Sequence, residues 1–274
     1  MLLCIDVGNT HVALALYEPD AAGSCWDARL RTERRATADE LALTLRGILG
    51  SRIDAVTGIA ALSTVPALLR ELRGMLARHF PALPHVLVEP GVRTGIPLLV
   101  DHPREVGADR VVQALAAHER VGDACVVVDL GTSTTVDAVS ARGEFLGGAI
   151  AAGLGISAEA LAARAAALRP VELVAPRSVL GRNTVESMQA GLVLGAAAQV
   201  DGLVARVAAA MAARDGGTAQ NAVVASGGLA PLVVPECATV TEHVPDLTLR
   251  GLRSVFARTR ATEASRTARR GARG

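Results

Sequence analysis

One short turn occurs twice in this chain, and it constrains the fold more than any other feature. Near the start the sequence reads Leu-Leu-Cys-Ile-Asp6-Val7-Gly8-Asn9-Thr10, and near the middle Cys-Val-Val-Val-Asp129-Leu-Gly131-Thr132. In both places an apolar run ends in Asp-x-Gly-(Asn/Thr), and a second β-rich run follows at once. A strand end delivers the carboxylate to one edge of a sheet, while the glycine lets the backbone turn tightly and approach a ligand. Hydroxyl, amide and backbone N–H groups then face one point, which suits phosphate oxygens and their metal ion. Two such turns predict a nucleotide held between two similar halves.

The flanking patterns repeat as well. The first half reads as strands near 2–7, 11–17 and 26–32, then a helix over 37–49 opened by the capping box Thr37-Ala-Asp-Glu40. A strand at 55–62, a helix from Pro66 to His79 and a strand at 85–88 complete it. After a connector rich in Pro and Gly (89–106), a helix is expected over 108–120. The order then restarts: strands near 124–130, 134–140 and 144–151, helices at 155–168 and 184–213, strands at 221–226 and 239–243, and a last helix at 247–257. This is a domain-sized duplication of an α/β layer architecture, with helices on the faces of each mixed sheet and a cleft expected between the halves. We divide the chain into domains 1–115 and 116–257, followed by a basic tail at 258–274.

That tail holds six arginines against one glutamate, leaving 22 basic and 26 acidic residues in the remainder. It lacks apolar periodicity, so the expectation is disorder. Arginines without interleaved aromatic residues, on a body with no basic face, give no basis for nucleic-acid binding. No uninterrupted apolar stretch reaches the roughly 18 to 20 residues of a membrane span, and no secretory leader is legible. Cys4, Cys25, Cys125 and Cys237 show no metal-ligand spacing, and a reduced, cytoplasmic enzyme is expected. The chain contains no lysine at all. That excludes the lysine-dependent phosphate loop, the protein-kinase lysine and Schiff-base chemistry. Any phosphate handling must rest on backbone groups, hydroxyls, carboxylate-held metal and arginine.

Three further segments stand out. Gly107-Ala108-Asp109-Arg110 opens a predicted helix, where Asp109 can cap free N–H groups and complement the dipole. Asn183-Thr184-Val-Glu186 has capping-box form, and Ser226-Gly227-Gly228 follows a strand. Together with the two acidic turns, these occur in the order found in type III pantothenate kinases, and residues 1–257 resemble that family. It belongs to the superfamily of acetate and sugar kinases, Hsp70 and actin.

The resemblance implies two duplicated ribonuclease H-like (actin-like ATPase) domains and a homodimer. It also implies ATP-dependent phosphorylation of pantothenate, the first step towards coenzyme A. By resemblance Asp6, Val7, Gly8, Asn9, Thr10, His11, Val12 and Ala13 form the ATP-binding stretch, with Asp6 facing Mg²⁺. Thr132, Gly227 and Gly228 complete the nucleotide contacts, and Asp129 holds a monovalent cation, K⁺ or NH₄⁺. Asp109 is the general base, and Gly107, Ala108, Asp109, Arg110, Thr184 and Val100 contact the substrate. The arginine fork of Arg110 suits a carboxylate.

The chain departs from the family at Val100, where a tyrosine is common, and at Ala152, where a proline is usual. Two rival readings stand beside the kinase, the first prompted by Val100. One is a nucleotide-binding regulatory protein that lost turnover, and the other a hydrolase in which water replaces the alcohol.

Overall fold

The computed structural model describes residues 1–19, 23–215 and 221–271. Among the described residues, ten strands and seven α-helices build two units of identical sheet topology. The first sheet has the order β3-β2-β1-β4-β5, with β1 (Leu2–Val7), β2 (His11–Tyr17), β3 (Trp26–Arg31), β4 (Gly58–Ser63) and β5 (His85–Val88). The second has the order β10-β9-β6-β7-β8, with β6 (Cys125–Leu130), β7 (Ser133–Val139), β8 (Phe145–Ala152), β9 (Ala222–Ser226) and β10 (Glu242–His243). In each, the first three strands are antiparallel neighbours and the last two run parallel to the first. The duplication read from the sequence is therefore present strand for strand.

The first unit is a three-layer sandwich whose logic is visible in the period of two along β1. Leu3, Ile5 and Val7 point to one face and join the core formed with α1 (Ala38–Leu49) and α2 (Pro66–His79). Leu2 and Cys4 point to the other face, packing with α3 (Ala108–Val121) and α7 (Leu247–Gly271). Thr37 caps α1 through the predicted box, accepting from the Glu40 N–H while the Glu40 side chain takes the Thr37 N–H. Pro66 opens α2 at a position where its missing N–H costs nothing.

The second unit buries one face of its sheet: Val126, Val128, Leu130 and Val136 pack against α5 (Thr184–Asp215) and Leu154 of α4 (Leu154–Arg164). By length and composition α5 could cross a membrane, with a mean hydropathy of 1.5 over its most apolar window. Its Met188, Val193, Ala197, Val200, Val204 and Met211 recur at helical spacing and are buried, the first packed near α4 and the others in the sheet core. Those positions seat one face of the helix in the core of the second unit. A short helix, α6 (Ala230–Val233), follows β9.

Two expectations about the C-terminus need correction. The last helix was assigned to the second domain, yet its Leu249, Leu252 and Val255 are buried in the first unit against Cys4, Ala15, Tyr17 and Val112. Among the described residues, Met1–Ile96, Asp101–Ala116 and Thr248–Gly274 form one compact unit, and Pro97–Val100 with Ala117–Leu247 the other. The boundary thus falls inside α3, and the chain returns to its starting unit at the end. Apolar spacing alone identifies a helix and one buried face, but not the sheet that receives it.

The tail from Arg258 was expected to be disordered, and α7 instead continues to Gly271. The packed segment before it supplies the costly nucleus, and Ala and Arg then extend the helix at little expense. Thr259, Thr262 and Ser265 also donate back to the carbonyls of Val255, Arg258 and Ala261. Residues 272–274 lie outside the described residues.

Gly251 marks the tightest crossing in the first unit. A Cβ there would lie 2.1 Å from the Val112 carbonyl oxygen of α3. In an exposed helix Gly→Ala stabilises by about 0.8–1.0 kcal/mol. Here overpacking dominates, and Gly251→Ala is expected to lower stability by about 1–3 kcal/mol in urea denaturation. A stabilised variant would contradict the close packing.

Candidate active site

The first acidic turn is a hairpin closed by a hydrogen bond from the Gly8 N–H to the His11 carbonyl at 3.0 Å. Asn9 and Thr10 form its exposed tip. Thr32 braces it from the end of β3, donating its N–H to the Thr10 carbonyl and its hydroxyl to the Gly8 carbonyl at 2.7 Å. Asp6 pairs with Ala13 across the β1–β2 ladder. Alternation along β1 therefore puts its carboxylate on the face of Leu2 and Cys4, the face covered by α3 and α7. Asp6, Val7, Gly8, Asn9, Thr10, His11, Val12 and Ala13 are thus one continuous hairpin.

The same register discloses a feature that sequence reasoning missed. His11 pairs with Arg31 and Ala13 with Arg29, so both guanidinium groups stand on the Asp6 face of the sheet. Burial pushes the His11 imidazole below its ordinary range, and the charges of Arg29 and Arg31 add to the effect. A chain without lysine thereby carries two fixed positive charges beside its first turn. The signal in the sequence was Arg29 and Arg31 at a spacing of two, legible only once strand register is known.

Asp109 lies in the first turn of α3, on the helix that covers this same face. Its carboxylate folds back over Gly107, where a Cβ would come within 2.5 Å of Oδ1. Burial raises its pKa; the Arg110 N–H, the Arg110 charge and its own N–H pull in the opposite direction without cancelling the rise. Ala108 and Arg110 flank it, both half-buried. The Asp109 carboxylate occupies the space that a side chain at Gly107 would take. The first unit therefore joins Asp6, the hairpin and the Gly107–Arg110 segment on one side of its sheet.

The second turn is built by three glycines that let backbone meet backbone. Gly131 carries the Asp129 carboxylate, with Oδ2 3.2 Å from where its Cβ would be. Gly153, after β8, would place a Cβ 2.3 Å from the Thr132 carbonyl. Gly227 has a φ of 103°, and a Cβ there would strike Leu130 backbone atoms at 2.5–2.6 Å. The Leu229 N–H then donates to the Leu130 carbonyl at 3.0 Å. Gly227 thus presses directly on the segment leading to Thr132, whose side chain is exposed.

Val100 belongs to a short extension, 97–100, that pairs with Phe145 through bonds of 2.8 Å at both Pro97 and Leu99. Its Cγ1 lies 3.6 Å from the Cβ position of Gly147, whose φ is 101°. Thr184 is the exposed first residue of α5. Asn183 caps the helix, accepting from the Glu186 N–H at 3.0 Å, while Glu186 takes the Arg182 N–H at 2.8 Å. An apolar cavity of about 350 Å³ opens beside Thr184, lined by Leu161, Leu168, Met188 and Leu192. The second unit thus gathers Asp129, Thr132, Gly227 and Gly228 at one turn. Val100 and Thr184 occupy other segments of it.

The model of the family described as type III pantothenate kinase matches residues 2–228. The chain belongs to the type III pantothenate kinase family. A type III pantothenate kinase of Saccharopolyspora erythraea is 61% identical over 263 residues, covering 94% of this chain and 98% of that protein. Among solved structures, one described as a conserved putative Baf family transcriptional activator from Campylobacter jejuni superposes with a TM-score of 0.60 at 14% identity, covering 94% and 99% of the two chains. A putative 2-dehydro-3-deoxygalactonokinase from Sinorhizobium meliloti does so with a TM-score of 0.55 at 17% identity, covering 94% and 96%. At such identities the two structures speak to fold alone.

The raised pKa of Asp109 has a sign that can be measured. The native state holds its proton to higher pH than the unfolded chain, so the ionised carboxylate costs stability above the folded pKa. That cost vanishes below the unfolded value near 3.8. Asp109→Asn is therefore expected to raise Tm at neutral pH, with the gain shrinking as the medium is acidified. A lowered Tm at neutral pH would contradict a desolvated carboxylate.

Proposed function

We propose that this chain phosphorylates the primary hydroxyl of pantothenate with ATP, forming 4'-phosphopantothenate, the first step of coenzyme A synthesis. The observation carrying this reading is the family match over residues 2–228, supported by relatives of high identity named as type III pantothenate kinases. The regulatory and hydrolase alternatives have no comparable support.

In this reading each acidic turn takes part in nucleotide binding. Backbone N–H groups of the 8–13 segment line its phosphates, helped by the Thr132 hydroxyl and, in place of lysine, by Arg29 and Arg31. Gly227 and Gly228 leave room for the flat adenine. Among the described residues no group of three or more His, Cys, Asp or Glu side chains forms a metal cage. Asp6 would stand beside Mg²⁺, and Asp129 would hold a monovalent cation (K⁺ or NH₄⁺). These ions supply charge neutralisation for the transferring group.

Asp109 accepts the proton of the attacking hydroxyl. An ordinary aspartate is a weak base at neutral pH, and desolvation moves this one in the useful direction. In a loose phosphoryl-transfer transition state the nucleophile needs orientation and late proton removal, which a first-turn carboxylate held over Gly107 provides. Arg110 holds the pantothenate carboxylate, Ala108 and Val100 shape the substrate pocket, and Thr184 offers its hydroxyl to the substrate. The enzyme acts in the cytoplasm as a homodimer. The exposed apolar side chains Ile156, Leu161, Val179, Leu180 and Val185 give the second unit a surface suited to self-association.

The test is ADP release from MgATP with and without pantothenate. Release stimulated by pantothenate is expected. Equal release in both would instead support a hydrolase, and none a regulator. Asp109→Asn should lower kcat by about 10²–10⁴, the range for losing a general base. A variant turning over at the wild-type rate would remove Asp109 from that role.

A further inference from the structure

The β6–β7 hairpin pairs Asp129 with Thr135 and Val127 with Asp137. Residues directly opposite in a ladder share a face, as do residues two apart on a strand. Asp129, Thr135 and Asp137 therefore stand together on one face of the second sheet. It is the face opposite to that of Val126, Val128 and Val136, which are spent on the core.

Within this group the Thr135 hydroxyl is anomalous. Thr135 is 5% exposed, and its Oγ1 has no hydrogen-bond partner although two carboxylates stand on the same face. The reason is where those carboxylates lean. Asp129 lies forward over Gly131, with Oδ2 3.2 Å from its Cβ position. Asp137 lies across β8, with Oδ1 2.3 Å from the Cβ position of Gly148. The buried hydroxyl is left without a partner on a face that also carries two carboxylates. A buried hydroxyl without a partner is destabilising, and valine would offer the same branched shape without that penalty. Such a group calls for a ligand that the protein side chains do not supply.

We propose that Thr135 Oγ1 is a further ligand of the monovalent cation at Asp129. This rests on the reading of Asp129 given above and extends it by one residue. The hydroxyl oxygen keeps two lone pairs for a cation, and hydroxyl with carboxylate is a hard-oxygen donor set suited to alkali ions. The nearby carboxylates compensate the ion's charge, and its bound state satisfies the hydroxyl.

The experiment is thermal unfolding of the full chain titrated with KCl, at ionic strength held constant with choline chloride and at constant MgADP. The wild type is expected to gain Tm with KCl, and Asp129→Asn to show no gain. Thr135→Val should unfold without potassium at or above the wild-type Tm, since its unsatisfied hydroxyl is gone. It should need about tenfold more KCl for half its effect, the factor expected for one lost ligand. Thr135→Ser keeps the hydroxyl and should titrate like wild type, and Thr135→Ala carries the comparison if the valine variant does not fold. If the hydroxyl-free variants titrate like wild type while Asp129→Asn stays flat, the Thr135 assignment is overturned and the Asp129 reading stands. A wild type indifferent to potassium overturns both.

Discussion

The alternation of side chains along two antiparallel hairpins governs the rest of this structure. In β1–β2 and β6–β7, every second residue is committed to a core, which fixes the register and leaves the intervening positions facing the other side. Asp6 and Asp129 hold equivalent positions in that alternation, two residues before the glycine of the turn. A slip of one residue would bury both carboxylates in apolar cores. The core therefore aims the chemistry, and the hydrophobic effect that stabilises each unit also orients its acidic turn.

Around this frame, glycine appears where a backbone must approach another group. Gly107 yields its side-chain space to the Asp109 carboxylate, and Gly148 does the same for Asp137. Gly153 and Gly227 let neighbouring chain segments press on the turn between Leu130 and Thr132. The positive charge that lysine would normally bring is supplied by Arg29 and Arg31, aligned with Asp6 by the β2–β3 register.

Much of this was legible in the sequence because it is local. The capping box at Thr37, the helix opened by Pro66 and the strand at His85–Val88 lie where propensity and punctuation put them. The duplicated topology followed from two copies of one turn. What failed depended on distant partners. The burial of Leu249, Leu252 and Val255 is shared with Cys4 and Tyr17, more than two hundred residues away, so nothing near α7 revealed its unit. The helical continuation past Arg258 was missed because apolar periodicity was the criterion, whereas Ala, Arg and a preformed nucleus were enough. Thr135 escaped notice for a related reason: an ordinary β-strand threonine becomes unusual only when register places it, unpartnered, beside Asp129.

The central chemical claim is a desolvated carboxylate at the start of α3, poised to take a proton. Its most direct test is a ¹³C NMR titration of the aspartate carboxyls, with the Asp109 resonance assigned by its loss in Asp109→Asn. The account predicts a midpoint above the ordinary 3.8 for Asp109. A midpoint at or below that value would mean a solvated or ion-paired group, and the proposed base would lose its physical footing.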